Sequence, residues 1–406
     1  MKILFITDNF PPEVNAPATR TFEHCKEWVQ NGVDVTIITC APNFPHGHVY
    51  EGYKNKLYQT EMLEGIKVIR VWSYITTNSG FLKRILDYMS FAFMAFGVGL
   101  FQKHDVIVAT SPQFFTTWSA CGIAKIKRKP WVFELRDIWP ESIKTVGAMK
   151  ESRVLDLLEK IELALYRSSD KVIAVTDAFK ANLISRGIDE DKIEVVTNGS
   201  NMELFFPREK DKELLKELQF EDKFIIGYLG THGMAHSLDF IVRSISKITD
   251  EDIHFLFVGD GAMKQTIVDL AKALSLSNVT FLDPISKDEM PRYLSIIDVS
   301  LAPLKRSENF KTVIPSKIFE ASAMGKPTLL GVEGQAQEII EKYHAGLCFI
   351  PEDEKDFLDK LVLLKKDIKL YAKSVDGCAV LAKNYNRKNL ANKMLNNLKK
   401  IYFKNG

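Results

Sequence analysis

The sequence predicts an α/β protein made of two doubly wound halves, and three observations carry that prediction. The chain has 406 residues, beyond the roughly 250–300 at which a single core stops growing. Short apolar runs alternate with stretches whose apolar residues fall three and four apart, the pattern of strands and amphipathic helices in turn. That alternation breaks off near residue 205 and then starts again. Parallel sheets covered on both faces read this way because their strands are buried throughout.

In the first half, strands are expected at Lys2–Thr7, Val33–Thr39, Lys67–Val71, Val106–Ala109, Trp131–Leu135, Val172–Val175 and Ile193–Val196. Helical spacing appears at Val154–Leu165 and Ala178–Ser185. From Arg208 to Lys223 charge dominates, which reads as a linker or an exposed helix. Strands resume at Phe224–Tyr228, His254–Val258, Val279–Leu282, Val299–Ala302, Thr328–Gly331 and Leu347–Ile350. Helices fit Ser237–Lys247, Met263–Leu274, Lys287–Ile296, Lys317–Met324 and Gln337–Glu341. The expected division is a first domain over 1–204, a linker over 205–222, a second domain over 223–380 and a basic helix over 381–406. In that last helix Leu390, Met394, Leu395, Leu398 and Ile401 form an apolar stripe suited to packing back on the body. Its cationic face suits an anionic bilayer as well. Ligands of such sheets sit at the carboxyl ends of the strands, and a two-half protein offers the cleft between its halves.

Composition removes several function classes. Lys+Arg 54 against Asp+Glu 52 leaves a formal charge of +2, which excludes a strongly basic nucleic-acid binder, so no nucleic-acid partner is expected. The five cysteines contain no C-x-x-C pair; that excludes a disulfide framework and a cysteine zinc site, and favours a reducing cytoplasm. Asp189-Glu190-Asp191 and Asp250-Glu251-Asp252 fall in predicted loops and read as solvated turns, so no metal is expected. The opening apolar run Ile3–Ile6 is too short for a secretory signal. Tyr88–Gln102 carries no charge and is rich in phenylalanine, yet it is short for a membrane span. It reads either as a buried core helix or as an interfacial one flanked by Lys83, Arg84 and Lys103.

The residues able to carry chemistry lie at strand ends. The first strand-to-helix turn, Asp8 to Arg20, holds no glycine, which disfavours a dinucleotide fingerprint. Small residues such as Ala16 still admit a ligand to the backbone, and the helix beginning near Thr19 offers free N–H groups to an anion. In the second half, Gly227-Tyr228-Leu229-Gly230-Thr231-His232-Gly233 follows a strand and precedes a helix. Two glycines three apart with a hydroxyl and an imidazole suit a diphosphate cradle, and equally a tight turn. Val258-Gly259-Asp260-Gly261 is a second glycine turn, read as structural. Pro315 and Ser316 open a helix, with Ser316 as N-cap, and Lys317 and Glu320 lie one turn apart on one face. A cation near a helix N-terminus opposes the macrodipole unless an anion compensates. A nucleotide meets that need, with its diphosphate on the N–H groups and Lys317 and its ribose on Glu320; a surface Lys–Glu pair is the alternative.

At these residues the chain resembles a bacterial family GT4 glycosyltransferase of the GT-B fold. The resemblance rests on Val172–Thr176 through Thr197-Asn198-Gly199-Ser200-Asn201, on Val258-Gly259-Asp260-Gly261, and on Pro315-Ser316-Lys317 with Glu320 and Met324-Gly325-Lys326-Pro327. Phe10-Pro11-Pro12-Glu13, Asn43-Phe44-Pro45-His46-Gly47 and Leu135-Arg136-Asp137-Ile138-Trp139-Pro140-Glu141-Ser142 resemble the O-antigen and capsule branch, which includes N-acetyl-L-fucosaminyltransferases and colanic-acid-type enzymes. There are departures. Thr312 stands where the family often has the first of two glutamates, Glu320 matching the second. Thr231 and His236 stand at the usual Arg and Lys of the diphosphate loop. Asn15-Ala16 replaces the first-turn glycine pair, and Arg136 replaces an acceptor-side His.

The resemblance implies transfer of a sugar from a UDP-sugar, such as UDP-N-acetyl-L-fucosamine, to a polyprenyl-diphosphate-linked saccharide, without a metal or other cofactor. The donor is then bound through Asn15, Ala16, Gly230, Thr231, His232, Gly233, Pro315, Ser316, Lys317 and Glu320. Asp137 and Glu141 orient or deprotonate the acceptor, and Arg136 holds an acceptor phosphate. The implied location is cytoplasmic, peripheral on the inner leaflet of the plasma membrane. A non-hydrolysing UDP-sugar epimerase and a non-catalytic partner of another transferase are the alternatives.

Overall fold

A computed structural model describes residues 1–44, 47–76, 81–111, 114–138 and 153–405. It divides into two compact units, Met1–Thr197 with Lys388–Gly406, and Asn198–Arg387. The first is built on β1 (Lys2–Ile6), β2 (Asp34–Cys40), β3 (Tyr58–Leu63), β4 (Ile66–Val71), β5 (Val106–Thr110), β6 (Trp131–Leu135), β7 (Lys171–Ala174) and β8 (Ile193–Val195). They form one sheet in the order β3-β4-β2-β1-β5-β6-β7-β8. All pairs are parallel except β3 with β4. β3 is absent from the sequence expectation because it is a polar edge strand, its residues alternating between exposed and half-buried.

Helices α1 (Ala16–Gln30), α2 (Phe81–Leu100), α3 (Phe114–Lys127), α4 (Arg153–Ser168) and α5 (Asp177–Ser185) cover this sheet. Phe91, Phe114, Ile123, Tyr166 and Phe179 of α2–α5 fill one face. The 88–102 stretch is buried only in part. Phe91 and Ala95 are buried in the core, while Leu86, Met89, Phe93 and, just past the helix, Phe101 are exposed.

The second unit contains β9 (Phe224–Leu229), β10 (Ile253–Val258), β11 (Val279–Leu282), β12 (Val299–Pro303), β13 (Thr328–Gly331) and β14 (Gly346–Cys348). All run parallel in the order β11-β10-β9-β12-β13-β14. Its helices are α6 (Lys212–Leu218), α7 (Leu238–Ile245), α8 (Lys264–Ala273), α9 (Met290–Ile296), α10 (Lys317–Ala323), α11 (Gln335–Tyr343), α12 (Glu354–Lys366) and α13 (Ile368–Asn384). The expected linker over 205–222 is corrected here: Phe205, Leu214, Leu215 and Phe220 are buried in one cluster with Ile225 and Ile297. Its charges lie on the solvent side of a packed segment, and the division between units falls at 197/198 rather than near 205.

The last helix, α14 (Arg387–Asn405), returns to the first unit. Leu390, Met394, Leu395, Leu398 and Ile401 pack with Trp28 and the second face of the first sheet, and Trp28 Nε1 donates to the Ala391 carbonyl at 2.9 Å. Two of its cations are paired within the unit, Lys388 with Glu27 at 3.8 Å and Lys393 with Glu194 at 2.9 Å.

Each sheet has one point where successive connections leave in opposite directions, between β1 and β5 and between β9 and β12. Open α/β sheets receive ligands at the carboxyl ends of such strands.

Candidate functional site

In the second unit the switch point gathers the loop after β9 and the start of α10. Gly230, at the end of β9, has φ +141. Gly259 ends β10 with the same φ, and a Cβ on it would lie 2.0 Å from the Gly230 carbonyl oxygen. The two turns therefore approach through bare backbone, which only glycine permits. Hydrogen bonds from the His232 amide to the Asp260 carbonyl (2.8 Å) and from the Met263 amide to the His232 carbonyl (2.8 Å) fasten them.

Over this bed lies Lys317, the first residue of α10. Its Nζ sits 3.4 Å from the ring centroid of Tyr228 and 3.4 Å from where a Gly230 Cβ would stand. The Tyr228 hydroxyl donates to the Thr231 carbonyl at 2.6 Å, which holds the ring under the ammonium. The His232 and His236 rings lie 5.6 and 6.0 Å from the same ring. Among the described residues, Lys317 Nζ, both ring nitrogens of His232 and Nδ1 of His236 are buried with no hydrogen-bond partner. Buried polar groups of a folded protein are normally satisfied, so four unsatisfied nitrogens gathered around the Tyr228 ring make this a candidate ligand site.

The electrostatics agree. Burial lowers the Lys317 ammonium to about 7, with Glu320 opposing that shift. Burial, then the neighbouring Lys264 and Lys317, lowers His232 to about 4, and burial followed by Lys317 does the same for His236. At neutral pH both imidazoles are uncharged and each offers one N–H. An anion entering this space gains a cation and two neutral donors. Among the described residues, no group of three His, Cys, Asp or Glu side chains is placed to hold a metal ion.

The first unit carries a different set at its own switch point. Arg136 and Asp137 follow β6, both half-buried, and their amides donate to Ser111 Oγ at 2.8 and 3.3 Å. Burial raises Asp8, at the end of β1, with the Arg136 charge pulling the other way. Burial also raises Glu13 and Asp87 to about 7. Glu13 accepts from the amides of Phe10, Asn43 and Phe44 at 3.2, 2.8 and 2.9 Å. It thereby ties the turn after β1 to the loop after β2.

Two families match this chain in adjoining blocks. Glycosyltransferase Family 4 covers residues 18–204, and Glycosyl transferases group 1 covers residues 209–376. Between them the two matches span most of the chain, and its fold is that of the GT-B glycosyltransferases. It is 26% identical over 365 residues, 87% of its length and 89% of the relative's, to WcaI of Escherichia coli (strain K12), described as a colanic acid biosynthesis glycosyl transferase. Among solved structures it resembles Anabaena HepE in complex with UDP and glucose, with a TM-score of 0.72, 16% identity and coverage of 98% and 100% of the two chains. The sucrose-phosphate synthase of Thermosynechococcus elongatus gives a TM-score of 0.76 at 16% identity, covering 99% of each chain.

Within this transferase, Gly230, Thr231, His232 and Gly233 come together with Pro315, Ser316, Lys317 and Glu320 at the second sheet. Asn15 and Ala16 lie in the first unit, with Arg136 and Asp137. Glu141 lies outside the described residues. Two expectations are corrected. Helix α1 begins at Ala16 rather than near Thr19, and the first-turn amide of Ala18 is already met by Asn15 Oδ1 at 2.9 Å. Ser316 occupies the N-cap position of α10 with a helical backbone and makes no capping bond. Thr231 is exposed, and Thr312 Oγ1 donates to the Asn309 carbonyl at 2.9 Å. Sequence reasoning missed Tyr228, which its place two residues before Gly230 foreshadows, and the carboxyls of Asp8, Glu13 and Asp87.

Proposed function

We propose that this transferase moves a sugar from a UDP-sugar, such as UDP-N-acetyl-L-fucosamine, to a polyprenyl-diphosphate-linked saccharide. The product belongs to bacterial cell-surface polysaccharide synthesis of the O-antigen or capsule type. The observation that carries the donor reading is the set of four buried, unsatisfied nitrogens on Lys317, His232 and His236 above the glycine turn. The O-antigen and capsule role draws on the likeness to the colanic acid enzyme, and the choice of uridine on the UDP bound to the HepE fold relative.

In this reading the diphosphate is the leaving group. Lys317, the two imidazole N–H groups and the backbone around Gly230 and Gly233 stabilise the charge that grows on it, and such preorganised stabilisation dominates the lowering of the barrier. Glu320, one turn along α10, takes the ribose hydroxyls. Asp137 orients or deprotonates the acceptor hydroxyl, with Glu141 as a further candidate, and Arg136 meets the acceptor's phosphate. No metal is required if these protein donors suffice to stabilise the diphosphate.

The lipid-linked acceptor implies work at the inner face of the plasma membrane. Among the described residues no helix is long and apolar enough to cross a membrane. The exposed Leu86, Met89, Phe93 and Phe101 beside Lys83 and Arg84 supply an interfacial surface instead.

Thermal unfolding in the presence of UDP, GDP, ADP and their sugars tests the donor site. A ligand at 100 times its dissociation constant adds about 2.7 kcal/mol, which raises the midpoint by a few degrees. UDP compounds should give that rise, and Glu320→Ala should remove it. A wild-type midpoint unmoved by every nucleotide would sink the reading.

A further inference from the structure

We infer that the donor brings a proton with it: Lys317 takes one up from solvent as the diphosphate enters and binds it in the ammonium form, with His232 and His236 as neutral donors. This inference rests on the donor-site reading above and names the linkage that the site's construction imposes.

The position of the Nζ comes first. It is buried with no hydrogen-bond partner among the described residues, and its close neighbour is the face of Tyr228 at 3.4 Å. A lysine ammonium carries three donors and normally keeps them in water or on acceptors. Here none is met, so only the ring quadrupole and more distant charges support the cation. The groups that face it are Tyr228 from β9, His232 and His236 from the following loop and turn, and Glu320 on its own helix. Lys264 and Asp260 act on the same space through His232. Glu320 is the anion acting on Lys317 and is outweighed by burial, which leaves the amine titrating at about 7. Two phosphates placed against the Nζ supply the acceptors and the negative charge that are missing, so the amine's proton affinity must rise on binding.

The sign follows. Below about 7 the free protein already holds the proton, and affinity is independent of pH. Above that, each bound donor draws up to one proton, and affinity falls tenfold per pH unit until the bound form itself titrates. The two imidazoles lie well below this range and stay neutral in the free protein.

Isothermal titration calorimetry of the whole chain at pH 6.5, 7.5 and 8.5, in buffers of different ionisation enthalpy, counts the protons. UDP-glucose, GDP-glucose and ADP-glucose serve as probes, because a diphosphate diester has no phosphate proton titrating in that range. For the probe that binds, the expected result is little uptake at pH 6.5 and close to one proton at pH 8.5. Affinity should be about tenfold weaker at pH 8.5 than at 7.5. Lys317→Arg, whose charge is permanent, should abolish both the uptake and the pH dependence, while His236→Gln should keep them. Circular dichroism melts confirm that each variant is folded. Binding without proton uptake, or uptake that survives Lys317→Arg, overturns this inference and leaves the donor site standing. Absence of binding by any of the three probes overturns both.

Discussion

At the scale of single residues, Glu13 sets the most direct pH prediction. Burial raises its carboxyl from 4.5 to about 7 in the folded chain. The folded state therefore holds a proton that the unfolded state has lost, and stability present below about pH 4.5 should decline as the pH climbs to about 7. Asp87, raised from 3.8 to about 7, adds to the same decline. Urea unfolding across this range should show stability falling by up to about 1.4 kcal/mol per pH unit for each group. Glu13→Gln should flatten part of the slope, and an unchanged slope would remove Glu13 as its source. What was legible at this scale depended on distance along the chain. Lys317 and Glu320 could be paired from the sequence because a helix puts residues three apart on one face. Tyr228 beneath Lys317, and Glu13 bonded to Asn43 and Phe44, could not, because those contacts join segments 89 and 30 residues apart.

Among elements, the two glycine turns and α14 are the most exposed to test. A methyl group at Gly259 would meet the Gly230 carbonyl oxygen, which is backbone and cannot rotate away. Gly259→Ala should therefore displace the loop that carries His232 and weaken nucleotide binding at least tenfold in calorimetry. Leu398 is fully buried against the second face of the first sheet. Leu398→Ala should cost about 2–5 kcal/mol, read as a lower urea midpoint. The buried parallel strands were legible because each is a short unbroken apolar run. β3 was not, since an edge strand facing water has no such run. The 205–222 segment misled for a related reason: its charges outnumber its apolar residues, yet Leu214, Leu215 and Phe220 are enough to seat it.

For the molecule as a whole, near-neutrality hides a local asymmetry. The formal charge is only +2, so the proposed attraction to an anionic bilayer would have to come from particular surfaces. On the first unit, α2 exposes Leu86, Met89 and Phe93 outward, and α14 keeps Lys400 and Lys404 exposed after Lys388 and Lys393 are paired. Co-sedimentation with vesicles containing anionic lipid should retain the protein at low salt and weaken as salt rises. Phe93→Ser with Phe101→Ser should weaken it at every salt concentration. Retention that ignores both changes would place the contact elsewhere.

The return of α14 also orders events during synthesis. The first unit is interrupted after Thr197 by the whole of Asn198–Arg387, 190 residues, before Lys388 rejoins it. At the ribosome's pace of about 5–20 residues per second, those residues take roughly 10–40 seconds to emerge. For that interval Trp28 waits for Ala391, and the apolar face beneath α14 stands open to water. The segment in between can complete its own sheet first. The half of the protein that is begun first is thus finished last, and its unsealed face is where a nascent-chain chaperone would find it.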